Sequence, residues 1–78
     1  MNHSVELWES LRPKIERAIS NKNTPKKFSG VNYYLAEYYL GKSMAESVAD
    51  KIKYHNYLVR VYPNTQKGIW YIYVRRKS

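Results

Sequence analysis

At 78 residues the chain is long enough to fold alone around a small core and too short to hide much apolar surface. Its 14 Lys and Arg against 6 Asp and Glu give a formal charge of +8 and a pI near 9.8, a balance that favours a polyanionic partner, nucleic acid first and an anionic membrane surface second. Zero cysteines exclude a disulfide framework and thiolate metal sites, and no apolar run approaches the roughly 20 residues that a membrane-spanning helix needs.

Residues 1–78 read as one small basic domain, with no internal repeat. Glu6 and Glu9 sit where a secretory leader would be basic and then apolar, so the expectation is a soluble, cytoplasmic protein. The first predicted element is a helix in which Val5, Trp8, Leu11, Ile15, Ala18 and Ile19 trace one stripe. Pro13 leaves two versions open: a helix capped near Ser4 and kinked at the proline, or a turn followed by a helix capped by Ser10. Trp8 is a core anchor in both. Residues 20–30, SNKNTPKKFSG, have the composition of a loop and carry the adjacent cations Lys26 and Lys27.

Residues 31–40, VNYYLAEYYL, are the ambiguous segment. Val31, Tyr34, Leu35 and Tyr38 fit a helical stripe, whereas the aromatic content and the bounding Gly30 and Gly41 fit a strand. Beyond it, Ser43 and Glu46 have the spacing of a capping box, and Met44, Ala45, Val48, Ala49 and Ile52 form a stripe that His55 and Asn56 close. Asn56 suits the left-handed conformation at a helix end, and His55 suits a C-terminal cap beside the negative end of the helix dipole.

The last third is a hairpin: runs 57–62 and 69–75 flank the turn-forming residues 63–68. If the register matches, Val59 and Val61 share a face with Trp70, Ile72 and Val74. The opposite face then shows Leu58, Arg60 and Tyr62 beside Ile69, Tyr71, Tyr73 and Arg75. Residues 57–78 hold Arg60, Lys67, Arg75, Arg76 and Lys77 and no acid, so the positive excess is concentrated here and in the N-terminal third.

Taking 31–40 as a strand gives an α+β fold of order α-β-α-β-β, with two helices on one face of a three-stranded sheet and the other face open and aromatic. From Tyr33 onward the pattern resembles the strand, helix and hairpin portion of SPOR-type domains: an aromatic strand, a helix of the form AESVADKIK, the corner Asn56-Tyr57 and a closing hairpin. That resemblance covers the last 45 residues or so by pattern, without a diagnostic motif, and implies binding of cell-wall glycan. Taking 31–40 as a helix gives three helices and a hairpin, which resembles a winged helix with LAEYYLGKSMAESVADKI as helix-turn-helix and the hairpin as wing. Its reading helix would expose Glu46 and Asp50 to DNA, and the strand version is preferred for that reason.

Catalytic chemistry is sparse: His3 and His55 without cysteine offer no metal-ligand spacing, no carboxylates pair at catalytic spacing, and Gly30, Gly41 and Gly68 stand apart rather than in a phosphate loop. No cofactor or metal is expected, and the protein is not expected to be an enzyme. With nine tyrosines and two tryptophans, some aromatic surface must stay exposed. The expected function is a non-catalytic nucleic-acid-binding module, DNA or RNA, whose sites are Arg60, Tyr62, Tyr71, Tyr73, Arg75 and Arg76 on the hairpin with Lys26, Lys27 and Lys67 at the periphery. The alternative is a protein-interaction or self-assembly module, homodimeric pairing included, since Tyr, Trp and Arg also dominate protein interfaces.

Overall fold

The C-terminal hairpin sets the register for everything packed on it. In a computed structural model that describes residues 3–77, with side chains from Leu7 onward, β3 (Tyr57–Asn64) and β4 (Ile69–Arg76) pair antiparallel. Val59 lies opposite Val74 and Val61 opposite Ile72, so the β-branched residues share the apolar face that the sequence assigns to them. Residues 65–68 close the hairpin, with Gly68 at φ +65 and the Lys67 N–H donating to the Asn64 carbonyl at 3.2 Å. Pro63, expected in the turn, ends up inside β3, an edge strand where a missing N–H is tolerated.

Residues 31–39 are strand β2 (Val31–Tyr39), which pairs antiparallel with β4 and removes the winged-helix alternative. A bulge between Leu35 and Glu37 shifts its register by one residue. The sheet has four strands rather than the expected three. Lys26–Phe28, read from sequence as loop, form β1, which pairs with β2 through the two-residue connection Ser29-Gly30. Both connecting residues have positive φ, +53 and +79, the signature of a type I′ hairpin turn. Three residues are too few for an alternating pattern to register in a sequence. The strand order is β1-β2-β4-β3, antiparallel throughout, and the chain order is α-β-β-α-β-β.

Both helices cover one face of this sheet. Helix α1 (His3–Asn21) lies mainly over β2 and α2 (Lys42–Tyr54) mainly over β3. Leu11, Ile15, Ala45, Val48, Ala49, Ile52, Val59, Ile72 and Val74 form the buried core, edged by Trp8, Ile19, Tyr39 and Trp70. Helix α1 runs through Pro13 without a break, so no second helix starts at Ser10. Proline costs about 3 kcal/mol there. Leu11 and Ile15, fully buried on either side of it, each return about 1.5 to 3 kcal/mol, which is enough to keep both halves seated. Ser4 and Val5 lie inside α1, and the cap expected of the Ser4 side chain and Val5's place in the stripe fall on side chains outside the described ones.

Helix α2 departs from the expected start. Gly41 is its N-cap, no side chain caps it, and the Ser43–Glu46 capping box is not formed. Only Leu40 and Gly41 connect β2 to α2, and burial of Ala45, Val48, Ala49 and Ile52 fixes the helix phase, so the first turn closes two residues early through the Ala45 N–H to the Gly41 carbonyl. At the other end Asn56 adopts φ +69, as its residue type suggests, and the His55 N–H bonds the Ile52 carbonyl. The His55 ring lies flat on Trp8, centroids 3.8 Å apart and planes within 9°, tying α1 to the end of α2. Glu16 of α1 accepts hydrogen bonds from the Tyr57 hydroxyl and from Arg76, clamping α1 to both strands of the hairpin. Burial first, and then this hydrogen bond, holds the Tyr57 phenol above its ordinary range.

Gly30 tests the β1 turn. A Cβ there meets nothing within 4 Å, so crowding is absent and the cost of Gly30→Ala is the left-handed backbone alone, about 1 to 2 kcal/mol. Urea unfolding should show that loss, whereas Gly41→Ala, at φ −130, should cost clearly less.

Candidate nucleic-acid interface

The face turned away from the helices is built by strand alternation. Arg60 lies opposite Tyr73, and Tyr62 opposite Tyr71, on the two strands of the hairpin. On the other side of β4, Tyr38 lies opposite Tyr71 and Leu35 opposite Tyr73. Tyr38, Tyr71 and Tyr62 therefore occupy one row of positions running across β2, β4 and β3, neighbouring backbones one strand spacing, about 4.8 Å, apart, and the Tyr62 and Tyr71 rings each lie 6.4 Å from the Tyr73 ring.

This face is concave. In a flat sheet β1 would sit three spacings from β3, roughly 14 Å. Instead the Phe28 ring of β1 is 6.2 Å from the Tyr62 ring of β3, which requires the sheet to curl toward the helix-free side. Phe28 also meets Tyr33 edge-on at 5.3 Å and Tyr73 at 5.6 Å. It acts as a plug over half of the aromatic floor. Tyr73, expected to be exposed, is only 7 % exposed beneath it, while Tyr62 keeps 41 % and Tyr38 55 %.

The expected site residues divide three ways. Lys26, Arg60, Tyr62 and Tyr71 come together on the concave face, with Arg75 beyond Tyr73 on the same side of β4. The Lys26 ammonium lies 4.2 Å from the Tyr62 ring centroid, and the Arg60 guanidinium lies 5.8 Å from Phe28 and 6.0 Å from Tyr33, all within cation–π range. Tyr73 belongs to the floor of the same cluster but is covered. Arg76 does not join it: opposite Tyr57 in register, it turns to the helix side and pairs with Glu16. Lys27 alternates away from Lys26 on β1, and Lys67 stands exposed in the loop between β3 and β4. Phe28, Tyr33 and Tyr38 were not singled out from sequence. The pair Ser29-Gly30 was the signal available for the first two, and Tyr38 showed only as part of a helical stripe that does not form.

The electrostatics of the face are one-sided. Glu37 is the only acid in the four strands, and it reaches across to α1, where Lys14 bonds it at 2.5 Å. No strand carboxylate opposes Lys26, Arg60 or Arg75. Among the described residues no group of three His, Asp or Glu is placed to hold a metal ion, and no helix is long and apolar enough to cross a membrane. The Tyr73 phenol is pushed up from 10.0 by burial first, then by Tyr71 and Tyr62.

A raised phenol pKa means that the fold favours the protonated ring. The stabilisation is complete below pH 10.0, where folded and unfolded chains are both neutral at Tyr73, and is lost as pH rises above it because the unfolded chain ionises first. A phenolate absorbance titration should therefore show late-ionising tyrosines. Phe28→Ala should return one of them toward 10.0 and destabilise the protein by about 2 kcal/mol, half of a fully buried Phe→Ala because Phe28 is half-buried.

No protein-family model matches this chain, and neither a curated protein nor a solved structure does.

Proposed function

We propose that the protein is a non-catalytic nucleic-acid-binding module, cytoplasmic in location, that presents its concave sheet face to the ligand. The observation that carries this reading is the coincidence on one face of Lys26, Arg60 and Arg75 with Tyr38, Tyr62 and Tyr71, free of any strand carboxylate, in a chain of net charge +8. Guanidinium and ammonium groups meet phosphates, while aromatic rings meet bases, and a polyanion approaching this face is not opposed by like charge. Lys27 and Lys67 extend the positive field at the rim.

With about three to five cations engaged, log affinity should fall against log salt with a slope of roughly −2 to −4. Measuring oligonucleotide binding across a salt series checks this. Arg60→Gln and Lys26→Gln should each flatten the slope by a little under one, and no retention at the lowest salt would end the proposal.

A second reading, pairing between copies of the chain, draws on one observation: β3 is an eight-residue outer strand that also exposes Leu58 and Tyr62. Pro63 and Arg60 on that strand oppose it, because one lacks a donor and the other repels its own copy. Scattering mass that rises with concentration would favour pairing; a constant monomer mass is the expected result.

A further inference from the structure

We infer that the ligand of the concave face is an unpaired polynucleotide segment, laid across the strands so that its bases stack on the row Tyr38, Tyr71, Tyr62. This rests on the nucleic-acid reading and narrows it to single strands.

Three observations carry the inference. The three tyrosines are in direct cross-strand register on three neighbouring strands, so their backbone positions span about 10 Å in a line perpendicular to the strands. A ligand that uses all three must cross the sheet and not run along one strand. Second, Tyr38 and Tyr62 are exposed and Tyr71 between them is half-buried, whereas Tyr73, one row away, and Tyr33, two rows away, lie beneath Phe28. The Phe28 plug thus bounds the stacking surface on one side. Third, the cations are few and sit on that same side of the row, with the Lys26 ammonium against Tyr62 and Arg60 beside Phe28. They are placed to meet a backbone passing along the plug while its bases turn onto the tyrosines.

A duplex fits these features poorly. Its base faces are already stacked on one another, so phenol rings find only groove edges, which are read by bidentate donors and acceptors. On the concave strands the side chains of that kind are Lys26, Arg60, Asn64 and Arg75, and Lys26 and Arg60 already lie against aromatic rings. An unpaired strand presents a π-face at every base, whatever its sequence and whichever sugar it carries.

The experiment uses the full chain, with fluorescently labelled oligothymidine, oligouridine and a blunt DNA duplex of equal length. Both single strands should bind at least roughly tenfold more tightly than the duplex. Tyr38→Ala, a change at an exposed site, and Tyr71→Ala should each weaken single-strand binding roughly 5- to 150-fold while leaving the salt slope unchanged, and Tyr71→Phe should keep the affinity because the ring remains. Duplex binding equal to single-strand binding, with a normal salt slope, would overturn this inference and leave the broader nucleic-acid reading standing. So would Tyr38→Ala and Tyr71→Ala variants that bind like the parent, or a Tyr71→Phe variant as weak as Tyr71→Ala. Absence of binding to all three probes at low salt would remove both.

Discussion

Burial of β4 on both of its faces is the constraint from which the rest of the structure follows. Ile72 and Val74 point into the helix layer and are fully buried, while Tyr73 between them points the other way and is almost as inaccessible. Two amphipathic helices account for the first face. In a flat four-stranded sheet nothing would cover the second, and a large phenol at the centre of the sheet would stand in water. Curling the sheet until Phe28 reaches Tyr73 and Tyr62 removes that exposure, and the tight Ser29-Gly30 turn delivers Phe28 at the required position. The molecule accordingly has a main core under the helices and a second, aromatic cluster on the concave side.

Strand alternation sorts the charges. Carboxylates that lie against the helix side are engaged there: Glu16 holds Tyr57 and Arg76, and Glu37 holds Lys14. These partly exposed ion pairs are worth little as stability, on the order of 1 kcal/mol or less each, so their larger effect is on the field. Negative charge from the sheet is drawn to the helix side, and the concave side keeps cations alone. Of the 14 Lys and Arg, Lys26, Arg60 and Arg75 share the concave face with no strand carboxylate, so the field on that face is positive.

Much of this was legible in the sequence where patterns were long. The parity of the hairpin separated Val59, Val61, Ile72 and Val74 from Arg60, Tyr62, Tyr71 and Tyr73 correctly, and of the helix stripes Leu11, Ile15, Ala18, Ala45, Val48, Ala49 and Ile52 are buried, whereas Met44, placed in the α2 stripe, is 56 % exposed. The losses came where a tertiary contact overrode a local one. Ser43 and Glu46 have capping-box spacing, but the core phases α2 from Ala45 and the short link from β2 leaves Gly41 at the cap. Tyr73 belongs to the open face by alternation, yet a three-residue strand with no periodicity of its own covers it. Arg76 falls one residue past Arg75 and therefore on the opposite face, a consequence of alternation that charge clustering in the sequence conceals.

Covering Tyr73 removes one ring from any ligand but organises the groups that remain. Phe28 gives Arg60 an aromatic surface to rest on, and Tyr62 does the same for Lys26. Long cationic side chains lose up to about 2 kcal/mol of rotamer entropy when a ligand fixes them, and a side chain already resting on a ring has less of that to lose. Tyrosines need only two torsions to be set, and a row of them on adjacent strands is held by the sheet itself. The same contact that closes the second cluster thus preorganises the open half of the face, and the cations without such support, Lys27 and Lys67, are the ones that stand at its rim.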